Sequence, residues 1–381
     1  MFAPGSQRDL FAIPDRMAYF NTAYSGPLLR ESHDRLIKAA GAKTQPWTRK
    51  VDDFFTDADC IRQLSARVFG ATEDHYAIIP AASYGVKAAA HAIRPTLSAG
   101  DEILVIADEF PSNILPWREL AAQIGATIVT VPMPESGNWA DAIIARLDKS
   151  VKLAALAHYH WTNGGFVDLE RIGAACAANG TILVLDVTQS LGAAPLDLTK
   201  VKPDFMICPG YKWLLFPYGV GIMYVAERWW DAEPIEGGWL TRANAHDFAN
   251  LMSYCETFRV GARRFDIGET CTALLSGAIA ALEQIERWTI PAISQSLSAI
   301  NKQLAERLRA IGFGVSDDAS YARHMFGARV PDHFDGDLVT ELREKNVFVS
   351  QRGRSIRFAP HLNVTNDDID QLLDAVATAV G

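Results

Sequence analysis

The chain has 381 residues, of which 49% are hydrophobic and 21% charged, and a formal net charge of −9. That length predicts two domains, and the acidic balance leaves no electrostatic footprint for nucleic acid. No apolar run is long enough for a bilayer, MFAPGSQRDLFAIPDR lacks the form of a signal peptide, and five scattered cysteines without a Cys-x-x-Cys pair argue against a disulfide framework or metal site and suit a reducing cytoplasm.

From about residue 75 to 225, seven apolar runs succeed one another: HYAIIP, EILVIAD, ATIVTVP, VKLAALAHYH, TILVLDVT, DFMICPG and GVGIMYV. Amphipathic segments over Ser83–Ile93, Asn113–Ile124, Trp139–Leu147 and Leu169–Ala178 separate several of them. Apolar strands alternating with helices predict an α/β layered domain around a mostly parallel sheet. Ligands of such sheets bind outside the carboxyl ends of the strands, so the residues just after each run are the ones to read.

After the first run, Ala82 and Ser83 open a helix. Its free N–H groups favour an anion, although Ser83 also reads as an ordinary N-cap. Phe110 follows the second run, as a flat ring to stack on a planar ligand or as plain core. After LAALA come His158, Tyr159, His160, Trp161, Thr162 and Asn163. Two histidines without a wider ligand cluster read as a polar crevice loop rather than a metal site. TILVLDVTQS ends in Asp186, with Gln189 three residues on. Asp186 is either a turn-former or a carboxylate awaiting a cationic partner. The next run leads into CPGYKWLLFPYGVG, where Lys212 is the one cation among aromatic, apolar, Gly and Pro residues. Such a lysine loses hydration, deprotonates more easily and becomes a nucleophile.

Beyond about residue 250 the pattern changes. A helical stretch over Leu274–Leu308 contains Pro291, which should kink or split it. A smaller α+β segment follows and ends in a helix over Asp367–Val380. We expect residues 20–250 to form a large domain, and 1–19 with 251–381 a small one. In VFVSQRGRSIRFAPH, Arg357 lies on a strand and suits two-point capture of a carboxylate, whereas Arg352 and Arg354 read as a solvated basic turn.

Together these segments resemble the class V aminotransferase family, pyridoxal-phosphate enzymes of fold type I that also include cysteine desulfurases, kynureninases and isopenicillin N epimerase-like proteins. The likeness runs from YFNTAYSGPLLRES to PHLNVTNDDIDQLLDAV. Its core is a strand-end Asp186-Val-Thr-Gln189, then Lys212 26 residues after Asp186, then Gly219-Val-Gly221. The resemblance implies that Lys212 holds pyridoxal 5'-phosphate as a Schiff base and moves the α-proton. It implies that Asp186 pairs with the ring nitrogen, Gln189 and Thr162 with the phenolic oxygen, and that Phe110 stacks on the ring. Ala82, Ser83 and Tyr211 would hold the phosphate, joined by Gly268, Glu269 and Thr270 from across a homodimer interface. Arg357 would take the substrate carboxylate, with Asn21 and Ala23 lining the substrate pocket.

The chain also departs from the family pattern. Tyr211 and Pro209 stand where many relatives have His and Ser or Thr, and Phe110 where a histidine often stacks. NVFVSQRGRSIR lacks the sulfur-accepting cysteine of desulfurases, and Asn363-Val-Thr365 replaces a Tyr-Asn-Thr. The leading expectation is a cytoplasmic aminotransferase or epimerase-like enzyme acting on an amino acid. The alternatives are a C–S lyase of the desulfurase type and a non-catalytic protein that kept the fold.

Overall fold

The apolar runs become the strands of one sheet. The computed structural model describes residues 5–316 and 322–380, so the first four residues of the N-terminal stretch lie outside it. The chain begins with β1 (Ala18–Tyr19), α1 (Arg30–Ala42), α2 (Thr56–Phe69), β2 (Tyr76–Ile79) and α3 (Ala82–Ile93). It continues through β3 (Glu102–Ile106), α4 (Pro111–Ile124), β4 (Thr127–Val131), α5 (Trp139–Arg146) and β5 (Val151–Ala157). Then come α6 (Leu169–Asn179), β6 (Ile182–Asp186), α7 (Leu198–Val201), β7 (Phe205–Pro209) and β8 (Gly221–Val225).

These strands form a seven-stranded sheet in the order β2-β8-β7-β6-β5-β3-β4. β8 runs antiparallel to both its neighbours, and the other pairs are parallel. Alternate residues feed two separate cores. Leu104, Leu156, Leu185 and Met206 face one layer, with Ile143, Ile172 and Leu282. Ile103, Leu153, Val184 and Ile207 face the other, with Val86, Trp117 and Leu120. Because both faces are covered, the strands read as unbroken apolar runs. Each fully buried Leu or Ile contributes roughly 1.5–3 kcal/mol.

Local signals set the helix ends. Asp168 caps α6 by accepting from the Arg171 amide at 3.2 Å, and Pro111 takes the first turn of α4, where its missing N–H costs nothing. Gly125 and Gly180 close α4 and α6 in the left-handed conformation.

Past the sheet, α8 (Thr272–Trp288) and α9 (Ile290–Ala310) replace the long helical stretch. The split falls at Thr289, with φ of 65°, and Pro291 opens the second helix. The rest comprises β9 (Gly314–Val315), β10 (Phe326–Arg329), α10 (Leu338–Glu344), β11 (Val347–Phe348), β12 (Ser350–Arg352), β13 (Ser355–Phe358) and α11 (Asn366–Val380). Here β12, β13, β10 and β9 form an antiparallel sheet in that order. A third core joins Phe326, Phe358, Leu372 and Val376 to Ala18 and Phe20 from the N-terminal segment. β1 pairs with β11 in parallel.

Candidate active site

One cleft opens at the carboxyl ends of the large sheet. Ala82 and Ser83 reach it after β2, Glu109 and Phe110 after β3, and Tyr159 and Trp161 after β5. Asp186 and Gln189 come from the end of β6, and Tyr211 and Lys212 from the end of β7.

Lys212 is 6% exposed. Its Nζ lies 5.6 Å from the ring centroids of both Phe110 and Tyr211. Burial pushes its ammonium down to about 8; Asp186 opposes this, while Arg357 and Arg352 add to it. Asp186 Oδ1 accepts from the Thr188 amide at 2.9 Å and from the Thr188 hydroxyl, which leaves Oδ2 free of these bonds. Burial pushes this carboxyl up, against the pull of Thr188 and Lys212.

Gln189 is held at both ends of its amide. Nε2 donates to the Ala23 carbonyl and Oε1 accepts from the Trp213 indole, each at 3.0 Å. One N–H remains for a ligand oxygen. Trp213 packs edge-on against His324, with centroids 4.6 Å apart, and lies 6.1 Å from His361. His324 Nε2 bonds the Gln189 carbonyl.

The N-terminal segment packs beneath the lysine. The Gly26 amide donates to the Tyr211 carbonyl at 2.8 Å, and a Cβ at Gly26 would sit 2.0 Å from the Lys212 carbonyl oxygen. The turn after the lysine puts Leu215 at φ of 56°, an uncommon conformation for a bulky residue.

Arg357, on β13, is 1% exposed. Nη1 donates to the Trp161 carbonyl at 2.5 Å, while Nε and Nη2 are buried without a partner. Burial pushes its guanidinium down to about 9, which leaves it cationic at neutral pH.

Other residues lie elsewhere. Thr162 is absent from the cleft lining; its hydroxyl bonds His160 Nδ1 at 2.7 Å, and His160 stacks on Trp139. Ala23 is buried and acts through its carbonyl, while Asn21 forms a bridge with Ala359 and is absent from the cleft lining. The Gly268 amide donates to Glu236 at 2.7 Å. Glu269 and Thr270 line a separate surface hollow with Lys43, Arg49 and Phe54. In IEGGWLTRANAHDF, Trp239 packs on Phe54, Phe55 and Phe248, away from the cleft. Among the described residues, no three His, Cys, Asp or Glu converge to hold a metal ion.

Sequence reasoning gave no site role to Glu109, left Trp161 within a polar crevice loop, and set Arg352 aside as a solvated turn residue. Trp161 lines the cleft, meets Phe110 edge-on at 5.4 Å, and donates from its indole to the Asp108 carbonyl. Glu109 immediately precedes Phe110, a position visible in the sequence. Its carboxyl is pushed up to about 7 by burial, and then by Asp186. Arg352 is not a freely solvated turn residue: its guanidinium sits 5.2 Å from the Trp161 ring centroid and its Nε is buried.

A family model described as aminotransferase class-V matches residues 34–367, and the chain belongs to that family. It is accordingly a pyridoxal-phosphate-dependent enzyme. It is 25% identical over 292 residues to a probable cysteine desulfurase of Pyrococcus abyssi, covering 76% of this chain and 71% of that protein. It is 30% identical over 289 residues to a kynureninase of Deinococcus radiodurans, covering 73% and 67%. A probable cysteine desulfurase of Vibrio cholerae is matched at 36% identity over 132 residues, 34% of this chain and 32% of that protein.

Solved structures share the fold. A C-DES mutant with glycine covalently linked to its PLP cofactor superposes with a TM-score of 0.88 at 21% identity, covering 97% of this chain and 99% of that one. An apo cysteine desulfurase from Thermococcus onnurineus NA1 gives 0.85 at 19% identity, covering 100% and 99%.

The residues present fit the cofactor. The amine of Lys212 is held near neutrality, Asp186 keeps one oxygen free of its Thr188 bonds, and Gln189 has one uncommitted N–H. The first turn of α3 has neither a side-chain cap nor an acidic residue, so its amides remain available to a phosphate.

Proposed function

We propose that the chain acts at the α-carbon of an amino acid, with Lys212 as the catalytic base and Asp186, Gln189, Phe110, Ala82, Ser83 and Tyr211 holding the cofactor. When bound, pyridoxal phosphate supplies an electron sink that makes bonds at that carbon labile. Asp186 holds negative charge against the ring nitrogen, and Arg357 grips the α-carboxylate with its two uncommitted donors. Trp161 fixes Arg357 through its carbonyl, and its ring braces Phe110.

The observation that carries this reading is Lys212, buried against Phe110 and electrostatically coupled to Asp186. Its test is optical. The purified protein should absorb in the visible, and Lys212→Ala should lose the covalent band together with turnover. A protein that takes up no cofactor would falsify the assignment.

Phe110 offers no proton, so in this reading Lys212 carries the proton at the reacting carbon, with the Glu109 carboxyl the other cleft group that titrates near neutrality. One base moving a proton over a single face serves transamination; epimerisation also needs delivery from the opposite face. Transamination is therefore the leading reaction and epimerisation the next.

A second reading, C–S cleavage, is favoured by the relatives, among them a cystine C–S lyase seen with its product cysteine persulfide. No cysteine lines this cleft, so a sulfur relay through the chain's own thiol is disfavoured. Assaying amino acids for keto acid, sulfide and loss of optical activity separates the three outcomes.

The working unit in this reading is a homodimer in which Gly268, Glu269 and Thr270 reach the partner's phosphate. Five free cysteines support a cytoplasmic setting. Among the described residues, no helix is long and apolar enough to cross a membrane.

A further inference from the structure

Two arginines share one face of the β12–β13 hairpin. Arg352 pairs with Ser355 across the ladder and Arg357 with Ser350. Directly opposed residues share a face, and so do residues two apart on a strand. Arg352 and Arg357 are therefore diagonal neighbours, with their α-carbons on the order of 7–8 Å apart.

Trp161, at the cleft wall, holds both. Its carbonyl takes Arg357 Nη1 at 2.5 Å, and its ring carries the Arg352 guanidinium at 5.2 Å. Arg352 Nη1 donates to the Gln351 carbonyl. Three N–H positions then remain buried and unpartnered: Nε of Arg352, and Nε and Nη2 of Arg357. Neither guanidinium meets a carboxylate in an ion pair among the described residues, and Arg352 acts as a like charge on both Arg357 and Lys212.

Like charges converging on one cleft-wall residue, partly buried, are unfavourable unless a ligand supplies the counter-charge. A single α-carboxylate does not satisfy both. The Nε–Nη2 edge of Arg357 alone makes the two-point fork that one carboxylate accepts. Arg352 is left over, one diagonal step away.

We propose that the substrate is an amino acid with an acidic side chain, its α-carboxylate held by Arg357 and its second anionic group by Arg352. This deepens, and rests on, the reading of the cleft as an amino-acid site.

The test titrates the holoenzyme while following its visible cofactor absorption. L-aspartate and L-glutamate are compared with L-asparagine and L-glutamine, which match them in size but lack the second charge. At least one acid should bind tenfold or more tightly than its amide. Arg352→Gln should abolish that preference, while Arg357→Gln should weaken acid and amide alike. Equal affinity for acid and amide, or a preference that survives Arg352→Gln, overturns the proposal and leaves the amino-acid site standing. If no amino acid perturbs the absorption, both readings fall together.

Discussion

Lys212 is a base because of what surrounds it. Burial against two aromatic rings, with like charge from Arg357 and Arg352, pushes its ammonium down to about 8, while Asp186 and Cys208 resist. The neutral amine attacks a carbonyl and the ammonium does not. In cofactor-free protein, the rate of covalent capture should therefore rise with pH, reach half its limit near 8, and flatten above. Stopped-flow absorbance after mixing with pyridoxal phosphate checks this; a profile still climbing steeply at pH 10 would mean an ordinary solvated lysine. Lys212, Asp186, Gln189 and Phe110 were legible in the sequence because each follows a strand, and strand ends converge whatever the loops do. Thr162 shows the limit of that logic. It too follows a strand, but its turn aims the hydroxyl at His160. Arg352 illustrates the reverse case: its chemistry depends on Trp161, which is 191 residues away in the sequence, and no local pattern records such a contact.

At the level of elements, the strands were readable because both faces of the sheet are buried, which gives unbroken apolar runs. The antiparallel direction of β8 was not, since hydrophobic pattern carries no polarity. The burial of three histidines was not legible either, although the sequence placed His158 in a crevice loop. His158, His324 and His361 come from the end of β5, the segment before β10 and the segment after β13. Burial pushes them down to about 3, 4 and 3. His324 contacts Trp213 and Tyr159, while His158 lies against Tyr159. Each is held neutral in the fold, whereas in the unfolded chain each takes up a proton near pH 6.5. The unfolded state thus binds more protons between those limits, and stability falls as pH drops from about 6.5 towards 4. Urea midpoints measured across pH 7 to 4.5 should decline, and His361→Asn should flatten part of the decline. A midpoint independent of pH over that range would exclude the histidines as acid-labile elements.

Across the whole molecule, the N-terminal segment ties the parts together. β1 pairs with β11 beside the third core, Asn21 bridges to Ala359, Ala23 accepts from Gln189, and Gly26 bonds Tyr211. Tyr24 and Tyr218 are largely exposed, as are Trp47, Met252, Tyr254 and Val260. Such exposed aromatic and apolar side chains suit the proposed second copy. The holoenzyme should sediment at twice the chain's mass, and Glu269→Arg, placed in the segment proposed to face the partner, should shift it towards monomer and weaken cofactor retention. A cofactor-loaded monomer would remove the shared-site reading. The same architecture has an optical consequence. Trp213 is 1% exposed, bonded to Gln189 and next in sequence to Lys212, while Trp161 lines the cleft. Indoles so placed should pass excitation to a bound chromophore. Filling the cleft therefore dims the protein's own fluorescence, a signal of occupancy that requires no knowledge of the reaction.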